Sequence, residues 1–141
     1  MCSFRRSLGW DVVLLAEVSL CLDGLLLGTS AEPAVALSAF LALCRGCEVF
    51  TFAAEATEEE TLELLSSAGA FDAGLQRHRV MFSSTLAGRG SMVRQLQPLL
   101  HLETSQEVVE TLQGKVPEVR LVTPRELPSP EEVRALSKPK A

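Results

Sequence analysis

Four cysteines, two histidines and one loop of small residues are the places in this sequence where chemistry would have to sit. The cysteines are Cys2, Cys21, Cys44 and Cys47. Cys44-Arg45-Gly46-Cys47 has the C-x-x-C spacing, but a zinc site needs a second ligand pair, and His78 and His101 are far from H-x-x-x-H spacing. A redox pair opens a helix, whose N-terminus lowers the thiol pKa; this one falls at the end of a helical pattern. The thiols therefore read as buried structural cysteines, with no metal and no cofactor. The histidines have no nearby serine, cysteine or carboxylate pattern of a catalytic triad and read as ordinary polar positions.

Ser83-Ser84-Thr85-Leu86-Ala87-Gly88-Arg89-Gly90-Ser91 reads as a strand-to-helix loop in which backbone donors and Arg89 would cradle an anion. It is neither G-x-G-x-x-G nor G-x-x-x-x-G-K-[ST]. A tight turn with capping hydroxyls competes with a nucleotide site, and a small-anion or nucleotide-binding domain stays open as the alternative function. Arg77, Arg79, Arg89 and Arg94 fall in a stretch without acidic residues, while Glu55, Glu58, Glu59, Glu60 and Glu63 crowd a helix start. The acidic group reads as a solvated helix cap. Two patches of opposite sign also suit a protein partner, because complementary charge steers encounter and fixes orientation.

Thirteen basic against eighteen acidic side chains give a net charge of −5, which argues against nucleic-acid or anionic-membrane binding as the main activity. The 141 residues, 47% hydrophobic and 22% charged, suit one domain able to bury a core without staples. No signal peptide is read in residues 1–10. The most apolar run, 12–27, carries Glu17 and Asp23 and falls short of the roughly 20 residues that span a bilayer.

The elements that must hold these residues are legible by period. In Val12–Leu22, Glu17, Ser19 and Cys21 alternate with Val18, Leu20 and Leu22, as in a strand. Asp23-Gly24 is a hairpin or turn signal. Ser30 and Pro33 predict the start of a helix that ends near Gly46. Glu48–Ala53 predicts a second strand, and Thr57 with Glu60 a capping box before Leu62, Leu64 and Leu65. Val80–Phe82 is the third strand, followed by the Gly88–Ser91 loop and a short helix over Met92–Leu96. Leu99–Leu102 is the fourth strand, with Thr104 and Glu107 as another capping box, and Val119–Val122 is the last. Strands alternating with helices at this spacing predict an α/β fold, a small Rossmann-like three-layer domain with a mostly parallel sheet of about five strands. The boundaries are an N-terminal lead over 1–10, the domain over 11–124, and a Pro-containing tail over 125–141 in which Ser129-Pro130 can start a short helix.

Ligands of such sheets bind at the carboxyl ends of the strands. There, Leu20-Cys21-Leu22-Asp23-Gly24-Leu25-Leu26 resembles the start of haloacid-dehalogenase-type phosphatases, which place a nucleophilic aspartate two residues before an acid/base aspartate. Asp23 matches the second, Cys21 stands in the place of the first, and no acidic pair follows either late strand to hold magnesium. The expectation is a degenerate site without phosphatase activity.

A more specific resemblance runs through Ala68-Gly69-Ala70-Phe71, Gly74-Leu75, Val80-Met81-Phe82-Ser83-Ser84-Thr85, Gly88-Arg89, Ser91, Val93-Arg94-Gln95-Leu96, Pro98, His101 and Thr104, with an echo in Cys47-Glu48-Val49. This block is similar to the signature of the peroxisome assembly protein 22 family, most like the plant form. The resemblance implies a non-catalytic adaptor in peroxisome biogenesis that binds and supports a ubiquitin-conjugating enzyme of receptor recycling. It implies the cytosolic face of the peroxisomal membrane, with the cytosol as the alternative, since the N-terminal membrane anchor of the family is not seen here. Core packing demands only Val93 and Leu96 of their segment, which leaves Arg89, Ser91, Arg94 and Gln95 as the expected partner-binding residues.

Overall fold

The computed structural model describes residues 15–28 and 30–136. Its elements are β1 (Glu17–Cys21), α1 (Pro33–Gly46), β2 (Glu48–Ala54), α2 (Glu58–Ser67), the single turn α3 (Ala70–Ala73), β3 (Val80–Ser83), α4 (Leu86–Leu96), β4 (Leu100–Glu103), α5 (Gln106–Leu112), β5 (Val119–Leu121) and α6 (Pro130–Leu136). The strands form one sheet in the order β3-β2-β1-β4-β5, and every pairing is parallel. This is a Rossmann-like α/β fold with β1 at its centre. The lead over 1–10, with Cys2, lies outside the described residues, as does the start of the strand read from Val12.

The alternation in β1 divides two interiors. Register pairs Val18 with Val49 and Leu100, and Leu20 with Leu102. On that face Val18, Leu20, Leu100 and Leu102 are fully buried in the larger core with Phe40 and Leu43 of α1, Leu65 of α2 and Val133 of α6. Ser19 and Cys21 point the other way, beside His101 of β4 and Phe52 of β2. That face is equally dry, because Val93 of α4 and Val108 and Leu112 of α5 close over it with Phe52. A polar row in a strand ordinarily marks a solvated face; here it lies under two helices.

Several local signals resolve differently from their sequence reading. Asp23-Gly24 makes no hairpin: the turn after β1 closes with the Gly24 amide on the Leu27 carbonyl at 2.9 Å, and the chain crosses to a parallel neighbour. Gly24 has φ +84°, and a Cβ there would stand 3.3 Å from the Thr104 side chain, so both conformation and space call for glycine. The N-cap of α1 is Glu32, not Ser30, and it makes no side-chain capping bond. Thr57 stands at the N-cap of α2 but makes no side-chain capping bond; its hydroxyl donates to the Ala54 carbonyl at 3.0 Å. Ser105, not Thr104, caps α5, by accepting from the Val108 amide. Thr104 is otherwise engaged, donating its hydroxyl to the Asp23 carbonyl at 2.8 Å.

The segment read as a tail packs on the domain as far as Leu136. Val133 is fully buried in the main core, Arg134 donates to the Gly46 carbonyl at 2.9 Å, and Arg125 pairs with Glu32 at 2.6 Å. Val133→Ala is therefore expected to lower stability by about 2 kcal/mol, measured by thermal or denaturant unfolding. Arg125→Ala, at an exposed pair, should change it by no more than about 1 kcal/mol.

Candidate functional site

The carboxyl ends of β1 and β4 bring together residues that lie 80 positions apart in the chain. At their centre is Glu103, the last residue of β4, fully buried. Arg89 of α4 grips it with both arms of the guanidinium, Nε to Oε1 at 3.2 Å and Nη2 to Oε2 at 2.5 Å. The amides of Thr104 and Ser105 add donors to Oε2 at 3.2 and 3.1 Å. The ring of His101 donates from Nε2 to Glu103 Oε1 at 2.8 Å, and its Nδ1 is hydrogen-bonded to Ser19 Oγ at 2.7 Å. Phe52 packs edge-on to that ring at 6.0 Å. On the outer side Arg89 Nη1 stands 3.6 Å from Asp23 Oδ2, and Cys21 Sγ is 3.1 Å from Thr104 Oγ1.

Why the chain folds this way locally follows from α4. Thr85 accepts from the Gly88 amide at 2.9 Å, which starts the helix at Leu86. The Gly88-Arg89-Gly90-Ser91 stretch expected as a loop is thus the body of α4: the hydroxyl cap and the buried contacts of Arg89 and Val93 together offset two helical glycines of about 1 kcal/mol each. No anion cradle is formed, because Arg89 turns inward to a carboxylate.

The electrostatics follow from burial and pairing. Burial pushes the Glu103 carboxyl up, but the His101 hydrogen bond and the Arg89 charge outweigh it and hold the group below its ordinary value. Asp23 moves the other way: partial burial raises it, and the nearby Arg89 only partly offsets this. Burial and the Glu103 charge push the Cys21 thiol up to about 12. A thiol so far from ionisation is a poor nucleophile. Cys44 is likewise pushed up to about 12 by burial, and all three described cysteines are free and buried.

Ser19, His101 and Glu103 form a serine–histidine–carboxylate chain, and each is 0% exposed. His101 is therefore not the ordinary polar position its surroundings in the sequence suggest, but the middle of a buried relay that no substrate reaches. Only strand register could reveal it, since Ser19 and His101 are cross-strand partners. A divalent cation does not fit either: the carboxylates of Asp23 and Glu103 converge on the Arg89 guanidinium, whose positive charge already fills the space between them. No cluster of three ligating His, Cys, Asp or Glu side chains occurs among the described residues.

The four expected partner residues divide. Arg89 is removed from that surface, being 4% exposed and committed to Glu103. Ser91, Arg94 and Gln95 lie exposed on the outer face of α4. The basic stretch disperses as well: Arg77 stacks on Phe71 at 4.4 Å, and Arg79 stacks on Phe50 at 4.8 Å and pairs with Glu48 at 3.5 Å. The carboxylates from Glu55 to Glu63 are exposed around the start of α2.

A family model described as peroxisome biogenesis protein 22, haloacid dehydrogenase-like domain, matches residues 17–140. Peroxisome biogenesis protein 22 of Arabidopsis thaliana is 43% identical over 53 residues, which cover 37% of this chain and 19% of the plant protein. Among solved structures, histidinol dehydrogenase from Elizabethkingia anophelis superposes with a TM-score of 0.52 and 14% identity, over 88% of this chain and 34% of that one. At that identity the likeness is one of fold alone.

Removing the cation from under α4 should be costly. Arg89→Met is expected to destabilise the fold by about 3–5 kcal/mol, because Glu103 stays buried without its partner, and Arg89→Met with Glu103→Leu should recover much of that loss in denaturant unfolding. Glu103 is held below its usual 4.5, so the stability it contributes is present above that pH and lost as the pH falls further. Acid unfolding should accordingly be shallower in Glu103→Gln. Asp23, with a raised pKa, gains on protonation, so Asp23→Asn should steepen the acid loss.

Proposed function

The chain belongs to the peroxisome biogenesis protein 22 family, and we propose that it serves peroxisome biogenesis as a non-catalytic adaptor that binds and supports a ubiquitin-conjugating enzyme of peroxisomal receptor recycling. The observation that carries the non-catalytic half is the self-satisfied cluster at the strand ends. Arg89, Glu103, His101 and Ser19 spend their hydrogen bonds on one another inside the protein. Cys21, where a nucleophilic carboxylate would stand, is a buried thiol bonded to Thr104. A hydrolase needs these groups open to substrate and solvent.

The binding half draws on the exposed residues of the family-like block. Ser91, Arg94 and Gln95 face outward from α4 although packing asks nothing of them. Among the described residues Arg94 has no carboxylate partner, whereas Arg79, Arg89, Arg120, Arg125 and Arg134 each have one. An arginine left unpaired on a rigid helix is a ready anchor for a partner. The N-terminal lead over 1–10, the domain over 11–124 and the tail from 125 remain our division of the chain, with the tail seated on α1 as far as Leu136. No helix among the described residues is long and apolar enough to cross a membrane, and attachment to the cytosolic face of the peroxisome is part of the same proposal.

The test is affinity purification from cells followed by titration with the captured ubiquitin-conjugating enzyme. Arg94→Ala is expected to weaken binding by about 1–3 kcal/mol with the melting temperature nearly unchanged. Absence of any conjugating enzyme among the captured proteins, with the fold intact, overturns the adaptor reading. Hydrolysis of a generic phosphate ester with magnesium, lost in Asp23→Asn, would overturn the non-catalytic half.

A further inference from the structure

The groove between α4 and α5 has features that the fold itself does not require. Both helices return antiparallel to parallel strands, so they run in the same direction side by side. Where they meet, α4 offers Gly90 and Ser91 rather than bulk, and a cavity of about 220 Å³ opens between them and Thr111 of α5. A Cβ on Gly90 would come into ordinary van der Waals contact with the Thr111 methyl, at 3.8 Å, so the helices meet at the buried Gly90 and the cavity lies beside that contact. Its floor includes the buried Val108. At one end stands Leu86, 40% exposed and one of three large apolar side chains left exposed among the described residues.

The charges on the rim give the groove a direction. Glu107, in the first turn of α5, lies toward the Leu86 end, and Arg94, in the last turn of α4, lies toward the other. The two do not pair with each other, and neither has an ion-pair partner among the described residues. The volume is below the roughly 300–1,000 Å³ of small-molecule sites and suits one large side chain. Interfaces concentrate their energy where one bulky anchor fills such a pocket beside a desolvated charge pair.

We infer that this groove receives a single bulky apolar side chain of a partner protein, with a neighbouring carboxylate of that partner pairing with Arg94. The inference deepens the adaptor reading and rests on it for the identity of the partner, but the groove's own preference is independent of that identity. Glu107 disfavours an acidic group at its end and so sets the polarity of the bound segment. Ser91 lines the cavity directly, which assigns it a role beyond helix solubility.

Two measurements separate the groove from the partner. In the first, the labelled full chain is titrated with indole-3-propionate, which joins a ring to a carboxylate, and amide shifts are followed by NMR. Shifts centred on Gly90, Ser91 and Thr111 are expected, with binding about tenfold weaker for the neutral propionamide and for the cationic tryptamine. Ser91→Leu, which fills the cavity, should abolish them, and Arg94→Glu should reverse the preference toward tryptamine. Shifts elsewhere, or shifts that persist in Ser91→Leu, overturn the groove. In the second, the ubiquitin-conjugating enzyme is titrated against the wild type, Ser91→Leu, Arg94→Glu and the opposite-face control Ala39→Trp. Loss in the two groove variants alone supports the inference. Equal binding by all four overturns it and leaves the adaptor reading standing, whereas no binding to the wild type sinks the adaptor reading and leaves the first measurement to decide the groove. Melting curves of each variant confirm that it is folded.

Discussion

A guanidinium and a carboxylate buried together under α4 set the terms for the rest of this fold. Removing either charge from water costs several kcal/mol, and the pair repays that cost only with good geometry and with the remaining lone pairs satisfied. Both conditions are met between Arg89 and Glu103: the contact is two-pronged, and the other donors to the carboxylate come from His101 and two backbone amides. To place those donors, β4 must end at Glu103, α4 must begin at Leu86, and the turn after β1 must bring Asp23 against Thr104.

The pair also explains why a sheet with a polar row on one face has no wet side. Ser19 and His101 lie in register on neighbouring strands, and each satisfies the other while Glu103 takes the second ring nitrogen. Such a chain is stable only if every member is bonded, since a half-satisfied buried network is worse than an apolar one. Phe52, Val93, Val108 and Leu112 then close over it as a small second core. The larger core on the opposite face supplies most of the apolar burial and recruits α6 through Val133.

The strand ends that hold ligands in folds of this kind are here turned to internal bonding. With the strand-end polar groups bonded to one another, the outer faces of α4 and α5 are where charge and space are left unassigned. The inward Arg89 and the outward Arg94 illustrate the division. Five residues apart on one helix, they project to different sides, so one organises the interior and the other lies exposed on the outer face.

The alternation of Glu17, Ser19 and Cys21 with Val18, Leu20 and Leu22, and the regular exchange of strand-like with helix-like periods, determined the α/β class, the strand count and the parallel sheet. These are local patterns, and the chain carries them whatever its neighbours. The block from Ala68 to Thr104 carried the family in the same way. What tertiary structure alone decided were the partners. Arg89 looked like a surface or anion-binding residue until its carboxylate appeared 14 positions away on another element, and His101 looked ordinary until strand register set it beside Ser19. The Gly88–Ser91 stretch became helix because Thr85 capped it and the interior rewarded it. Side-chain pairing across a sheet depends on register and on which helix lies above, and neither leaves a short-range mark in the sequence.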